Sequence, residues 1–474
     1  MTASDEPTAE LDALRAANLA FAARYPGDRG QRQPVHTVYG GAHLFRADTT
    51  RRLGAIALGS MDEYASDPIE FARGVGFVAD ETLAGADASA LAAEFERDPR
   101  ALRDRAPWAW LAFSVHARVR AKLSREPVED FRIDFEDGFG ARSDAEEDAV
   151  ADGAARALAS SIAQGNAPPF VGIRVKSMGE EWRSRSARTL DRFVSALLGA
   201  TGGVLPDGFV VTLPKVTVAE QPRLLARLLD GLEKRHGLKR GAVAVEVMIE
   251  ATQALLGADG RSPLLGYLDA CEGRCRGVHF GTYDFTASCN VTAAEQRMDH
   301  PMCDLAKGLM LLAYAGTGVF LSDGATNVLP IAPHTGGSIS ATQRAANRSA
   351  VHRAWRISHA HIRHSLRGGF YQGWDLHPAQ LPVRFATSFA CFIEDLAPTA
   401  ARLRHFVDTA ARATTVGDVF DDAATGQGLL NFFQRAYNSG AIEEADLDIT
   451  GLTRDEIALR SFTRILAARR ARLG

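Results

Sequence analysis

Eight times along the chain, a short run rich in β-branched and aromatic residues ends in a polar or glycine-containing turn, and an alanine- and leucine-rich stretch follows. The runs are VHTVYG (35–40), DFRIDFEDG (130–138), FVGIRVKS (170–177), FVVTLPKV (209–216), VAVEVMIEA (243–251), GVHFGTYDF (277–285), GVFLSDGATNVLPI (318–331) and GGFYQGWDLHP (368–378). Strands alternating with helices build βα units and a parallel sheet. Eight units are the count of a closed barrel, and no glycine-rich dinucleotide fingerprint competes with that solution. The predicted fold class is α/β, a (β/α)8 TIM barrel.

The rest of the chain reads as helical additions. Residues 11–25 form a short amphipathic helix stopped by Pro26 and Gly27. A long helical insertion, about 55–128, separates the first two runs. It includes a helix near Ala90 to Phe95, with Ser89 as its expected N-cap, and another from Pro107 to Lys122. After the eighth run, residues 388–474 are helical again, with a glycine-bearing loop expected near Asp421 to Gly428. The expected division is an N-terminal helix (1–30), a barrel (31–387) and a C-terminal helical region (388–474) that could act as a lid.

Composition excludes several classes. Of 474 residues, 46% are hydrophobic and 24% charged, the profile of a folded globular chain rather than a disordered one. A formal net charge of −4 gives no electrostatic footprint for nucleic acid or an anionic membrane. Five scattered cysteines point to reduced thiols rather than a disulfide framework, and Cys271 and Cys275 lack a second pair at zinc spacing. The first ten residues hold no apolar run, and the stretch Gly308 to Leu321 is too short and too glycine-broken to span a bilayer. A cytoplasmic, soluble protein is expected.

Strand parity then sorts the charges. In the second run Phe131, Ile133 and Phe135 share one face, which leaves Arg132, Asp134 and Glu136 on the other, towards the barrel axis. The same parity points Arg174 and Lys176 inward from the third run and puts Glu246 and Glu250 on one face of the fifth. Asp284 is expected at the end of the sixth. His279 falls on the helix-facing side as a core histidine, and His377 is read as a hydrogen-bonded turn residue. Strands of a parallel barrel are covered on both faces and normally read as continuous apolar runs, so a group of charges of both signs late in successive strands marks the mouth where barrel sites form.

Glu250 and Asp284 end neighbouring runs, and their carboxylates can share one cation. Two carboxylates plus waters and a chelating substrate suit Mg²⁺. The alternative is a pair of structural acids in ion pairs. Glu246, four residues earlier on the same face, fits better as a buried partner of Arg132 or Lys215. Lys215 could form a Schiff base, but acids on neighbouring strands would keep it protonated.

In order along the chain, IDFEDGFG, GIRV, LPKV, MIEA, FGTYDF and GFYQGWDLHP resemble the citrate lyase β-subunit / HpcH–HpaI aldolase family of the phosphoenolpyruvate/pyruvate-binding barrel superfamily. The resemblance implies Mg²⁺ (or Mn²⁺) held by Glu250 and Asp284, and Arg174 on the substrate's carboxylate or keto oxygen. It also implies Glu136 and Asp137 in the catalytic acidic network, with Gly281 and Thr282 as substrate contacts. A homo-oligomer is implied as well, its C-terminal helices closing a neighbour's site. YGGAHLF lacks the family's usual proline-glycine turn, the spacing from Glu250 to Asp284 is longer than usual, and the insertion is foreign to compact members, so a divergent branch is expected.

The function so implied is a divalent-metal-dependent carbon–carbon lyase or aldolase acting on a 2-keto or hydroxy-keto acid through a metal-stabilised enolate. An acyl-CoA lyase or synthase of the malyl-CoA or citramalyl-CoA type is the enzymatic alternative, and a catalytically silent barrel acting as a binding or scaffold protein is the other. The expected partner is a small anionic keto acid or an acyl-CoA. Asp421 and Asp422 stand as candidate general bases by analogy with a C-terminal lid.

Overall fold

Alternation of the kind seen in Phe131/Ile133 and Val171/Ile173 places one set of side chains under a helical layer, where they are fully buried. The computed structural model describes residues 8–27, 30–408, 414–416, 419–421, 423–459 and 461–473. In it the eight runs become β1 (His36–Gly41), β2 (Asp130–Asp134), β3 (Phe170–Arg174), β4 (Val210–Leu213), β5 (Ala244–Ile249), β6 (Cys275–Phe280), β7 (Phe320–Ala325) and β8 (Gln372–Asp375). Each pairs in parallel with the next and β8 returns to β1, closing the barrel. The fold is the (β/α)8 barrel that the pattern predicts.

Seven of the eight strands are shorter than their runs. The sixth stops at Phe280, and Thr282–Ser288 turns into a helix, so Asp284 stands in a first helical turn rather than on the strand. The glycine-rich seventh and eighth runs pair only over Phe320–Ala325 and Gln372–Asp375, with a register shift between Ser322 and Ala325.

Helix starts follow local chemistry. Ser143 and Glu146 form a reciprocal capping box that opens the helix Asp144–Ala163, and Ser340 and Gln343 do the same for Ala341–Arg367. The insertion holds six helices between β1 and β2: Thr49–Tyr64, Pro68–Val75, Asp80–Leu83, Ala88–Arg97, Pro99–Arg105 and Pro107–Arg125. The cap of Ala88–Arg97 is Asp87, whose carboxylate accepts from the Ser89 and Ala90 amides, and not Ser89 as expected. Pro107–Arg125 packs on Leu381–Glu394, filling the helix position between the first two strands. Pro68–Val75 packs outside it and against Ala341–Arg367, where Glu70 meets Arg348 at 2.8 Å and His352 Nε2 lies 2.8 Å from the Tyr64 carbonyl.

In the C-terminal region a two-stranded antiparallel pair, β9 (Thr414–Val416) and β10 (Val419–Asp421), precedes the helix Ala423–Asn438. The glycine-bearing segment is therefore largely helix, not loop. Gly426 is needed there because a Cβ would run into the rings of Phe406 and Phe462. From this helix Arg435 donates to Gln33 Oε1 at 2.6 Å and lies over the Tyr371 ring. Gln33 precedes β1 and Tyr371 precedes β8, so within one chain this helix meets the barrel at the face opposite the mouth. No helix among the described residues is long and apolar enough to cross a membrane.

Candidate active site

The barrel axis is filled by a polar stack that the strand registers align. Arg132 on β2 donates to both carboxylate oxygens of Glu246 on β5, at 2.7 and 2.8 Å, and to Thr212 on β4 at 3.0 Å; Asp130 takes a further contact. Glu246 is thus the partner of Arg132, and that pairing, with His279, holds its carboxyl well below the usual range against the opposing effect of burial. His279 faces this stack. Its Nε2 is 3.3 Å from Glu246, while the Trp374 indole N–H reaches its Nδ1 at 3.2 Å and the Tyr39 hydroxyl lies at 3.1 Å. The expected helix-facing orientation is therefore wrong. His279 pairs in register with Met248, two residues from Glu246, and shares its inward parity. The indole donor makes Nδ1 the acceptor and leaves the Nε2 proton for Glu246.

One layer higher, at the strand ends, the mouth begins. Asp134 and Arg174 face each other across the β2–β3 register and join by two hydrogen bonds of 2.6 and 2.7 Å. The guanidinium lies 4.8 Å from the centre of the Tyr39 ring and reaches Glu136 at 3.1 Å and Asp137 at 3.7 Å. Asp134 also accepts from the backbone amides of Glu136 and Gly138, which folds the loop after β2 back over the arginine. Lys176, expected to point inward, lies beyond the end of β3. It donates to the Phe135 carbonyl at 2.6 Å and meets Glu147 of the flanking helix at 3.3 Å. Parity fails there because the strand has already ended.

Lys215 follows β4 with φ +52°, in the left-handed region that costs a non-glycine residue strain. That turn sends its backbone amide to the Glu250 carboxylate at 2.7 Å. The side chain runs the other way, and its ammonium contacts Glu136, Asp137 at 3.1 Å and Asp284 at 3.8 Å. Glu250, just past β5, is buried, and a Cβ on Gly281 would collide with its carboxylate. Glycine at 281 is what lets Glu250 lie against the chain after β6. Thr282 is buried beside Gly324, and its hydroxyl has no hydrogen-bond partner.

Five carboxylates (Asp134, Glu136, Asp137, Glu250 and Asp284) here share two cations, Arg174 and Lys215. Burial pushes the Glu250 carboxyl up to about 8, and the charge of Asp284 pushes the same way. Burial also raises Glu136 and Asp284. Burial works on Asp137 too, but Arg174 holds it below the usual range. For Lys215 burial works against the charge, yet Glu136 and its neighbours lift the ammonium above the ordinary lysine range.

Excess carboxylate oxygen is the donor chemistry that Mg²⁺ and Mn²⁺ take. Glu250 and Asp284 supply two carboxylates of that kind at the mouth, the pair that would hold such an ion. Among the described residues no group of three His, Cys, Asp or Glu side chains is arranged to hold a metal, so the remaining positions would fall to water or substrate oxygen. The sequence did not single out Tyr39 or Trp374. Both are aromatic residues on strands, and only ring closure sets them beside Arg174 and His279. His377 is a turn residue as expected, its Nδ1 accepting from the Ala379 amide at 3.2 Å. Of the suggested general bases, Asp421 ends β10 and Asp422 lies outside the described residues.

A family model described as "Domain of unknown function (DUF6986)" matches residues 14–465. No curated protein matches the sequence. Among solved structures, a citrate lyase from Burkholderia xenovorans LB400 aligns with a TM-score of 0.50 at 19% identity, over 71% of this chain and 92% of that one. The protein CitE from Mycobacterium tuberculosis, in complex with magnesium, acetoacetate and coenzyme A, aligns at 0.41 and 17% identity, over 68% and 95%. Malate synthase from Haloferax volcanii, in a magnesium/glyoxylate complex, aligns at 0.41 and 16% identity, over 71% and 88%. The likeness to the first is one of fold.

Proposed function

The chain belongs to the DUF6986 family, and for this member we propose a divalent-metal-dependent carbon–carbon lyase acting on a 2-keto or hydroxy-keto acid. The observation that carries it is the acid-rich mouth, where Glu250 and Asp284 flank Lys215 within reach of an arginine locked by Asp134. A citrate lyase-like barrel fits that chemistry, and the phosphoenolpyruvate/pyruvate-binding superfamily is the proposed affiliation.

Each side chain has a task its surroundings support. Arg174, held by two bonds to Asp134 and backed by Tyr39, is a preorganised positive charge for a substrate carboxylate or for the oxygen that gains charge as the carbon–carbon bond breaks. A divalent cation held by Glu250 and Asp284 would add Lewis-acid polarisation of the keto acid. Glu136, whose carboxyl is raised by burial beside Arg174, Asp137 and Lys215, is the side chain we assign to proton transfer. Gly281 and Thr282 would line the substrate's approach, Thr282 offering an unpartnered hydroxyl. The raised ammonium of Lys215 argues against Schiff-base chemistry, which needs a neutral amine.

Calorimetric titration with Mg²⁺ and Mn²⁺ tests the metal directly, and Glu250→Gln should abolish the isotherm. Cleavage assays on 4-hydroxy-2-keto acids, run beside malyl-type thioesters, then separate the aldolase from the acyl-CoA lyase. A wild-type protein that takes up no divalent ion, or that cleaves in EDTA and is trapped by borohydride, sinks the proposal.

A further inference from the structure

Lys215 is placed with more backbone strain than a structural ion pair requires. Its positive φ aims the amide at Glu250, while its side chain spans the mouth to Glu136, Asp137 and Asp284. The ammonium therefore rests on one proposed metal ligand while its own backbone grips the other. It is also the more accessible cation of the pair, its side chain about one-third exposed against 5% for Arg174. It borders a cavity of roughly 350 Å³ that opens beside the mouth and is lined also by Glu136, Asp137, Lys176, Ser177 and Trp182. Arg174 cannot yield its place, because two bonds tie it to Asp134. Lys215 can, through four side-chain torsions.

From this we infer that Lys215 is a displaceable counter-cation: its ammonium competes with a divalent ion for Asp284 and its neighbours, and yields into the adjoining cavity when that ion binds. The inference rests on the metal reading of Glu250 and Asp284. Its consequence is an order of events. With Lys215 on the acids, the charge of the mouth is partly offset, and the cavity wall also carries Lys176, itself paired with Glu147. Released from Asp284, Lys215 stays at the cavity wall beside Glu136 and Asp137, which line the same cavity. The bound ion adds the positive charge that these carboxylates lack, so an anionic substrate meets a favourable mouth only after the metal site is filled, and loading is metal first, acid second. The pairing also serves the metal-free protein, where Glu136, Asp137 and Asp284 would otherwise have only Arg174 nearby to offset them.

Two measurements test this. The first uses unmodified protein: acetylation of Lys215 by a water-soluble amine reagent is followed by mass spectrometry with and without saturating Mg²⁺, other lysines serving as internal references. Displacement predicts labelling of Lys215 that rises several-fold with Mg²⁺. Labelling that stays constant or falls overturns the inference. The second is Lys215→Met, which keeps the stem and removes the competitor. Mn²⁺ affinity should tighten by about tenfold or more, as expected when a unit charge some 4 Å from a ligand is removed in a half-exposed site, and the metal-free variant should melt lower than wild type. Unchanged or weaker Mn²⁺ binding counts against it. If wild-type protein binds neither ion, the metal reading itself fails and this inference with it; if it binds Mg²⁺ while Lys215 labelling stays flat, only the inference falls.

Discussion

At the residue scale, most of the mouth's behaviour follows from carboxylates outnumbering cations. Arg174 spends its fork on Asp134 and keeps one edge for the site. Lysine at 174 would keep the charge and lose the fork, so kcat/KM for the cleaved acid should fall by about 100-fold or more in Arg174→Lys. Arg174→Ala should in addition cost roughly 3–5 kcal/mol in urea unfolding by stranding buried Asp134. Gly281→Ala carries the opposite signature. The new Cβ meets the Glu250 carboxylate, so calorimetry should show divalent affinity lowered about 10–100-fold while the fold is retained. Below the mouth, burial alone would raise Asp375, but Arg384 at 3.0 Å and His36 at 2.9 Å bring it to about 2. Because its folded pKa is depressed, it contributes stability that is complete above the unfolded value near 4 and is lost as pH falls through 2. The contribution is about 2 kcal/mol. Acid unfolding of Asp375→Asn should show a shallower loss of stability between pH 4 and 2 than wild type.

At the element scale, the insertion between β1 and β2 is tied to the barrel through Leu381–Glu394 and through Ala341–Arg367. Trp355, fully buried in Ala341–Arg367, donates its indole N–H to the Ala379 carbonyl at 2.8 Å, and its ring meets the edge of Phe71 from Pro68–Val75. It therefore joins the insertion, the helix before β8 and the turn after it. Trp355→Ala opens a large cavity and orphans the carbonyl, so urea unfolding should register a loss of about 3–5 kcal/mol. A readout confined to the insertion, such as hydrogen exchange over residues 68–75, should rise with it. If exchange there stays at the wild-type rate, the insertion is held by its own helices instead.

At the scale of the whole molecule, closure of the barrel brings acids from the ends of β2 and β5 and from the helix after β6 together with the lysine that follows β4, residues up to 150 positions apart in the chain. A ligand that neutralises this rim binds the folded state alone. Saturating Mg²⁺ should raise the melting temperature, with roughly 2.7 kcal/mol gained at a hundredfold excess over Kd, and EDTA should reverse it. Differential scanning fluorimetry across a Mg²⁺ series checks this, and a flat series would speak against a metal at the rim. The apolar periodicity of eight runs determined the barrel, because alternation of side chains is a local property of extended chain and burial reads it directly. Parity likewise found Arg132, Asp134, Glu136, Glu246 and Arg174, since register in a covered sheet leaves each residue one of two faces. It failed for Lys176, which lies past the end of β3 where period-two alternation stops applying, and for His279, whose side was misassigned; Asp284, expected at the end of the sixth run, stands in the helix after β6. Gly426 was read as loop because a glycine's preference is local, whereas the closeness of Phe406 and Phe462 is not. Which acid Lys215 touches, how Tyr39 comes to lie beside Arg174, and why Glu250 is raised depend on distances across the closed ring, and those exist only once every strand has paired.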